Sequence, residues 1–238
     1  MTGHRRDDGV AVARQPHMRF APFAAVAGGI VGVLFWPLHS LAYLATKDGG
    51  DPVLNWADTG RDVFGPLLDW DSVDTVYKTY GKLWLIVVAG FLLGLIALRA
   101  AREGKGKPAG LERWGWRIAL AGYSLLLLGV TVEYFTPWLD FGFVAFSGPG
   151  LLLGLIGSTL LGAGLLRGGP ETRVGAWLLA LSIPLLLAMT AVFGHLSAGL
   201  LPLDLAWIAI GLALLRGGAQ SREASASTTA DWSQVSQP

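Results

Sequence analysis

Six apolar stretches, each long enough or nearly long enough to cross a bilayer, alternate with charged gaps along the 238-residue chain. That pattern leaves few folds open. The stretches run approximately Phe20 to Ala45, Tyr80 to Leu98, Ile118 to Phe135, Gly148 to Leu166, Val174 to Phe193 and Gly199 to Leu215. A helix rises about 1.5 Å per residue, so about 20 residues span a hydrocarbon core of roughly 30 Å. A soluble bundle of six such helices needs a polar shell, yet only 15% of the residues are charged and the mean hydropathy is +0.51. Lipid supplies the missing solvent. The expected fold is all-α: a polytopic membrane bundle of six transmembrane helices over residues 19–216.

The distribution of charge orients the bundle. Fourteen of the eighteen Lys and Arg residues fall in alternate gaps: the amino-terminal tail, the second loop (Arg99, Arg102, Lys105, Lys107, Arg113, Arg117), the fourth loop (Arg167, Arg173) and the carboxyl tail (Arg216, Arg222). The opposite side holds Lys47, Arg61, Lys78 and Lys82 among the seven aspartates Asp48, Asp51, Asp58, Asp62, Asp69, Asp71 and Asp74. Basic loops stay in the cytoplasm, so both termini are expected there, in the inner (plasma) membrane of a bacterium. The first stretch follows Arg5, Arg6, Arg14 and Arg19 as a signal peptide does. It is too long for a signal core and lacks a clean cleavage site, so it reads as a retained anchor. No basic patch interleaved with aromatics points to nucleic acid. The chain has no cysteine, which excludes disulfides, thiolate catalysis and Cys-ligated metals.

Outside the bundle, residues 1–18 and 217–238 lack periodicity and read as disordered cytoplasmic tails. The one sizeable soluble segment is the exterior loop 46–79. It opens on a Gly49-Gly50-Asp51-Pro52 turn, and Ser72 is placed to cap a short surface helix carrying Val73, Val76, Tyr77 and Tyr80 on one face. Its aspartates match no EF-hand spacing and read as a solvated face.

Within the bundle, glycines four apart at Gly28 and Gly32, Gly90 and Gly94, and Gly150 and Gly154 predict close helix crossings, chiefly inside one chain. Pro37 and Pro184 predict bends in the first and fifth helices. Gly90 to Ile96 recurs as Gly150 to Ile156, sixty residues on, as a duplicated hairpin or a chance match of Leu- and Gly-rich helices would give. Tryptophans are expected in two interfacial belts: Trp114, Trp116 and Trp177 inside, Trp36, Trp84 and Trp138 outside.

Threading six helices this way carries His39, Glu133, His195 and Asp204 toward the exterior end, with Asp140, Tyr43, Tyr80, Tyr134 and Trp138 nearby. An ionisable group in hydrocarbon costs several kcal/mol unless paired or hydrated. Asp204, flanked by Leu203 and Leu205, is therefore expected to meet His195 or His39. Three chemistries are open to such a cluster: a zinc or non-haem iron site, a bis-histidine haem, and proton exchange during transport. No nucleophile elbow, phosphate loop or His-x-x-x-His pair accompanies it, so no cofactor is assigned. The leading expectation is a non-enzymatic integral membrane protein in contact with the lipid bilayer. Its exterior polar pocket would bind a small ligand, an ion or a membrane protein partner, with a transporter or a metal or haem enzyme as the alternative.

Overall fold

The computed structural model describes residues 20–49, 54–103, 110–167 and 172–235, with side chains as far as residue 219. The amino-terminal tail, the Gly50-Asp51-Pro52 turn, Lys105, Lys107, Gly168 and Gly169 lie outside the described residues.

Every described element is a helix or a turn. In chain order these are α1 (Ala21–Leu44), α2 (Asn55–Leu68), α3 (Val73–Gly81), α4 (Trp84–Glu103), α5 (Gly110–Phe135), α6 (Leu139–Gly142), a π-helical turn (Phe143–Ser147), α7 (Gly148–Leu165), α8 (Arg173–Ala180), α9 (Ser182–Phe193), α10 (Leu196–Gly199) and α11 (Leu201–Val235). Five segments are long and apolar enough to cross a membrane: Ala21–Leu44, Val73–Arg102, Gly110–Phe135, Leu139–Leu165 and Leu196–Ala219. The pair α8 and α9 makes a sixth if taken as one span, bent by 67°. Leu34, Leu93, Leu128, Leu152, Leu187 and Val192 stand exposed on the outside, as lipid-facing side chains do.

The bend comes from Pro184. Its ring would collide with the carbonyl of Ala180 in a continuous helix, and the chain turns at Leu181, one residue later. The polar groups there face protein, with the Ser182 hydroxyl 3.2 Å from Thr159 Oγ1 and 3.4 Å from the Leu155 carbonyl. Pro37 has no such effect, and α1 runs through it unbroken. The unbroken α5 and the bent α8–α9 are the corresponding arms of the two similar hairpins, so those hairpins differ in shape.

Neighbouring spans form a closed circuit: α1 on α4, α4 on α5, α5 on α7, α7 on α8, α8 on α11, and α11 back on α1. Glycine sets the closest crossings. A Cβ at Gly28 would lie 3.0 Å from the Gly90 Cα, and one at Gly122 would run into the backbone of Gly154. The glycine pairs thus pack helices within the chain. At the centre, Phe91, Tyr123 and Trp207 are fully buried. The Trp207 indole donates to the Tyr123 hydroxyl at 3.2 Å, and that hydroxyl lies 2.6 Å from Ser158 Oγ. Arg102 grips Glu112 through two hydrogen bonds of 3.1 and 3.0 Å, tying the ends of α4 and α5.

Several further expectations change. The short helix expected to lie flat on the membrane surface or to cover the mouth of the bundle does begin after Ser72, and it runs on into α4 as one 30-residue candidate span. The Ser72 hydroxyl bonds to Thr75 Oγ1 at 2.8 Å instead of capping a backbone N–H. The loop also contains α2, whose Ala57 and Trp56 pack on Leu41 and Leu44 of α1. Trp84 and Trp116 are buried rather than interfacial, while Trp114, Trp138 and Trp177 are exposed. Finally, helix continues to Val235 where the Ser- and Thr-rich composition reads as unstructured. Between Leu203 and Gln237 there is no proline, and Ala, Gln, Arg and Glu are good helix formers.

Candidate functional site

A cavity of about 580 Å³ occupies the acidic end of the bundle. Every span contributes to its wall: His39 and Tyr43 from α1, Tyr77 and Trp84 from α3 and α4, Glu133 and Tyr134 from α5, Ser147 and Leu151 from the π-turn and α7, Thr190 from α9, and His195, Ser197 and Leu200 at the start of the last span. Its apolar lining is Val88, Leu126, Val130 and Leu151, and Asp48, Asp74, Lys78 and Asp140 lie toward the open end.

His39 is the hub. It is buried, and the Trp84 indole N–H donates to its Nδ1 at 3.1 Å. An indole can only donate, so Nδ1 carries no hydrogen and the ring's proton sits on Nε2. From there it reaches the Tyr134 hydroxyl at 3.2 Å, and that hydroxyl also bonds with the Tyr77 hydroxyl, 3.3 Å away, and with the Glu133 carboxyl group. The Tyr77 ring stacks on His39 at 4.9 Å between centroids. These bonds fix the imidazole as a neutral ring in a single orientation.

His195 enters from the opposite wall. It caps α10, its Nδ1 accepting from the Ser197 backbone N–H at 3.2 Å, which again places the proton of the neutral ring on Nε2. The residue before it, Gly194, ends α9 in the left-handed region with φ 75°, a conformation glycine adopts at no steric cost. The His195 ring lies 5.2 Å from that of His39 and 4.4 Å from that of Tyr43. Burial pushes its imidazole down to about 4, so it too is uncharged near neutral pH. Ser40 and Ser197, 2.6 Å apart, tie α1 to α10 behind the two rings.

Glu133 is buried and accepts a hydrogen bond from Ser147 Oγ at 2.8 Å. The π-turn wraps closely over the end of α5. A Cβ at Gly142 would come within 2.7 Å of the Glu133 backbone nitrogen, so only glycine lets the wrap close.

His39, Glu133, His195 and Asp140 therefore all line the one cavity, whereas Asp204 does not. Asp204 is fully buried and neither carboxyl oxygen has a partner among the described residues. Its carboxyl group fills the space left by the missing side chain of Gly32 on α1, not a position beside either histidine. The expected Asp204–histidine pair is absent because Asp204 faces the α1–α11 crossing below the cavity. Tyr80 and Trp138 are not on the wall either. Tyr77, Trp84, Ser147 and Ser197 are, and only Tyr77 had a periodic signal pointing inward.

The hydrogen bonds bear on cofactors. Both His39 nitrogens are committed, so a zinc or haem iron could bind only by displacing the indole or Tyr134. Among the described residues no three His, Asp or Glu side chains are grouped to hold a metal ion.

Fold and cavity together define the class: a polytopic helical membrane protein with a polar, aromatic-lined cavity at one end. Compared with protein-family models, curated proteins and solved structures, the chain matches none.

Proposed function

We propose that this protein sits in the bacterial plasma membrane with both termini in the cytoplasm and binds a small ligand from the exterior in the cavity around His39, without transforming it. The carrying observation is convergence. Side chains from all six spans meet at a space of about 580 Å³, within the range of small-molecule pockets, that combines apolar walls with a few fixed polar groups. The charge asymmetry supports the orientation, since the cavity opens among the aspartates and away from the Arg-rich loops.

The lack of native cysteine makes one test clean. Leu196→Cys, on the cavity wall, is expected to react with a membrane-impermeant thiol reagent added to intact cells, whereas Gly218→Cys reacts only after permeabilisation. Reversed labelling overturns the orientation. An unreactive Leu196→Cys in a folded protein overturns the open pocket.

One observation favours a second reading, proton-coupled transport. A fully buried carboxyl group with no partner is the type of residue that carries protons across membranes, and here it lies below the cavity on the crossing of the first and last spans. Dicyclohexylcarbodiimide, which reacts with buried neutral carboxyl groups, is expected to modify Asp204. Absence of that adduct by mass spectrometry removes the second reading.

A further inference from the structure

We infer that the ligand of this cavity is a small organic cation whose ammonium group sits among the tyrosine faces beneath the acidic rim. The inference rests on the reading of the cavity as a ligand pocket and adds the ligand's class.

Charge is the first ground. The wall and rim hold four carboxyl groups, Asp48, Asp74, Asp140 and Glu133, against the one ammonium of Lys78. Among the described residues no ion pair engages the three aspartates, so their field is available at the mouth, where low-dielectric walls focus it inward. The two imidazoles add no positive charge. His39 accepts at one nitrogen from an obligate donor, and His195 accepts from a backbone N–H. An anion would enter a space with no guanidinium and one lysine.

The second ground is independent of charge count. Tyr43, Tyr77 and Tyr134 cluster with the two imidazoles, at centroid separations of 5.7 Å for Tyr43–Tyr77 and 6.0 Å for Tyr77–Tyr134. Aromatic faces attract a cation within about 6 Å of the ring, and they favour a weakly hydrated alkylammonium over a metal ion, which demands oxygen or nitrogen ligands in number. The absence of a three-ligand group among the described residues agrees with that preference. Depth supplies the third ground. Glu133 lies buried on the wall, held by Ser147, so carboxyl oxygens continue the acidic lining inward from the exposed rim.

The test compares three probes of one shape by calorimetry on detergent-purified, full-length protein at constant ionic strength: choline, its uncharged carbon isostere 3,3-dimethylbutan-1-ol, and 3,3-dimethylbutanoate. Choline is expected to bind at least about tenfold more tightly than the alcohol, with the carboxylate weakest. Asp48→Asn combined with Asp74→Asn, both exposed and outside the packed core, should weaken choline severalfold and leave the alcohol unchanged. If the alcohol or the carboxylate binds as well as choline, the cation assignment is overturned while the pocket stands. If none binds up to about 10 mM, the cation assignment is again overturned. In that case the labelling of Leu196→Cys decides whether the pocket falls with it.

Discussion

At the scale of single residues the two histidines do opposite jobs with the same tautomer. His39 bridges one donor, the Trp84 indole, and one acceptor, the Tyr134 hydroxyl, inside the protein. His39→Leu leaves the buried Trp84 N–H without an acceptor and takes one partner from the Tyr134 hydroxyl, which is expected to cost about 1–3 kcal/mol in thermal or denaturant unfolding. Pairing it with Trp84→Phe should recover part of that loss, and a strictly additive double variant would show that the hydrogen bond carries no weight. His195 instead titrates. Its folded value of about 4 lies below the ordinary 6.5, so the unfolded chain takes up the proton first. Stability from this group is full above pH 6.5, falls as the pH drops toward 4 and levels off below, by at most about 3 kcal/mol. His195→Asn keeps a capping acceptor without titrating in this window, and unfolding followed from pH 7.5 to 4.5 should show the acid loss shrink in the variant. A slope unchanged by the substitution assigns it elsewhere. The His39 role was not readable from sequence, because its partners Trp84 and Tyr134 lie 45 and 95 positions away in the chain; His195 caps through Ser197 close by, but the packing that buries its ring is tertiary. What the sequence did show was depth: His39, Glu133 and His195 belong to one end of the bundle. Asp204 has nearly that depth and misses the cavity, since helical phase and not depth decides which side a residue faces.

Among elements, the glycines separate two kinds of contact that look alike in a sequence. A Cβ on Gly122 would collide with the backbone of Gly154, which cannot move aside, while one on Gly154 would meet only the Tyr123 ring, at 3.1 Å. Gly122→Ala should therefore destabilise the α5–α7 crossing by about 1–3 kcal/mol, and Gly154→Ala clearly less. Equal losses in steric-trap or denaturant unfolding would mean that the two helices separate freely. The five candidate spans and the bent α8–α9 pair were legible because apolarity is written residue by residue, and the α3 helix because its face repeats every three to four positions. By contrast α2 carries Asp58, Gly60, Arg61, Asp62 and Gly65, a composition typical of a loop, and is held by Trp56 and Leu54 against α1, a tertiary cause with no local trace. Pro184 did announce its bend, whereas Pro37, of the same residue type, produced no break.

At the scale of the molecule, the circuit of spans makes the cavity a shared property. No single hairpin contains it. The wall is completed only when α1 and the last span meet, through Ser40 and Ser197 and through the Asp204–Gly32 contact beneath. A ligand that touches all six spans therefore binds the assembled bundle and not its parts, so occupancy should stabilise the whole fold by mass action. At a hundredfold excess over its dissociation constant the gain is about 2.7 kcal/mol for a single site. The distribution of that gain is the informative part. Hydrogen exchange on the choline-bound protein is expected to slow together at α3 and at α10, two separate elements that both line the cavity. Protection confined to one of them would mean that the ligand rests on the rim of one hairpin. Equal protection in Glu133→Gln, with its buried carboxylate removed, would place the cation at the exposed aspartates instead of among the tyrosines.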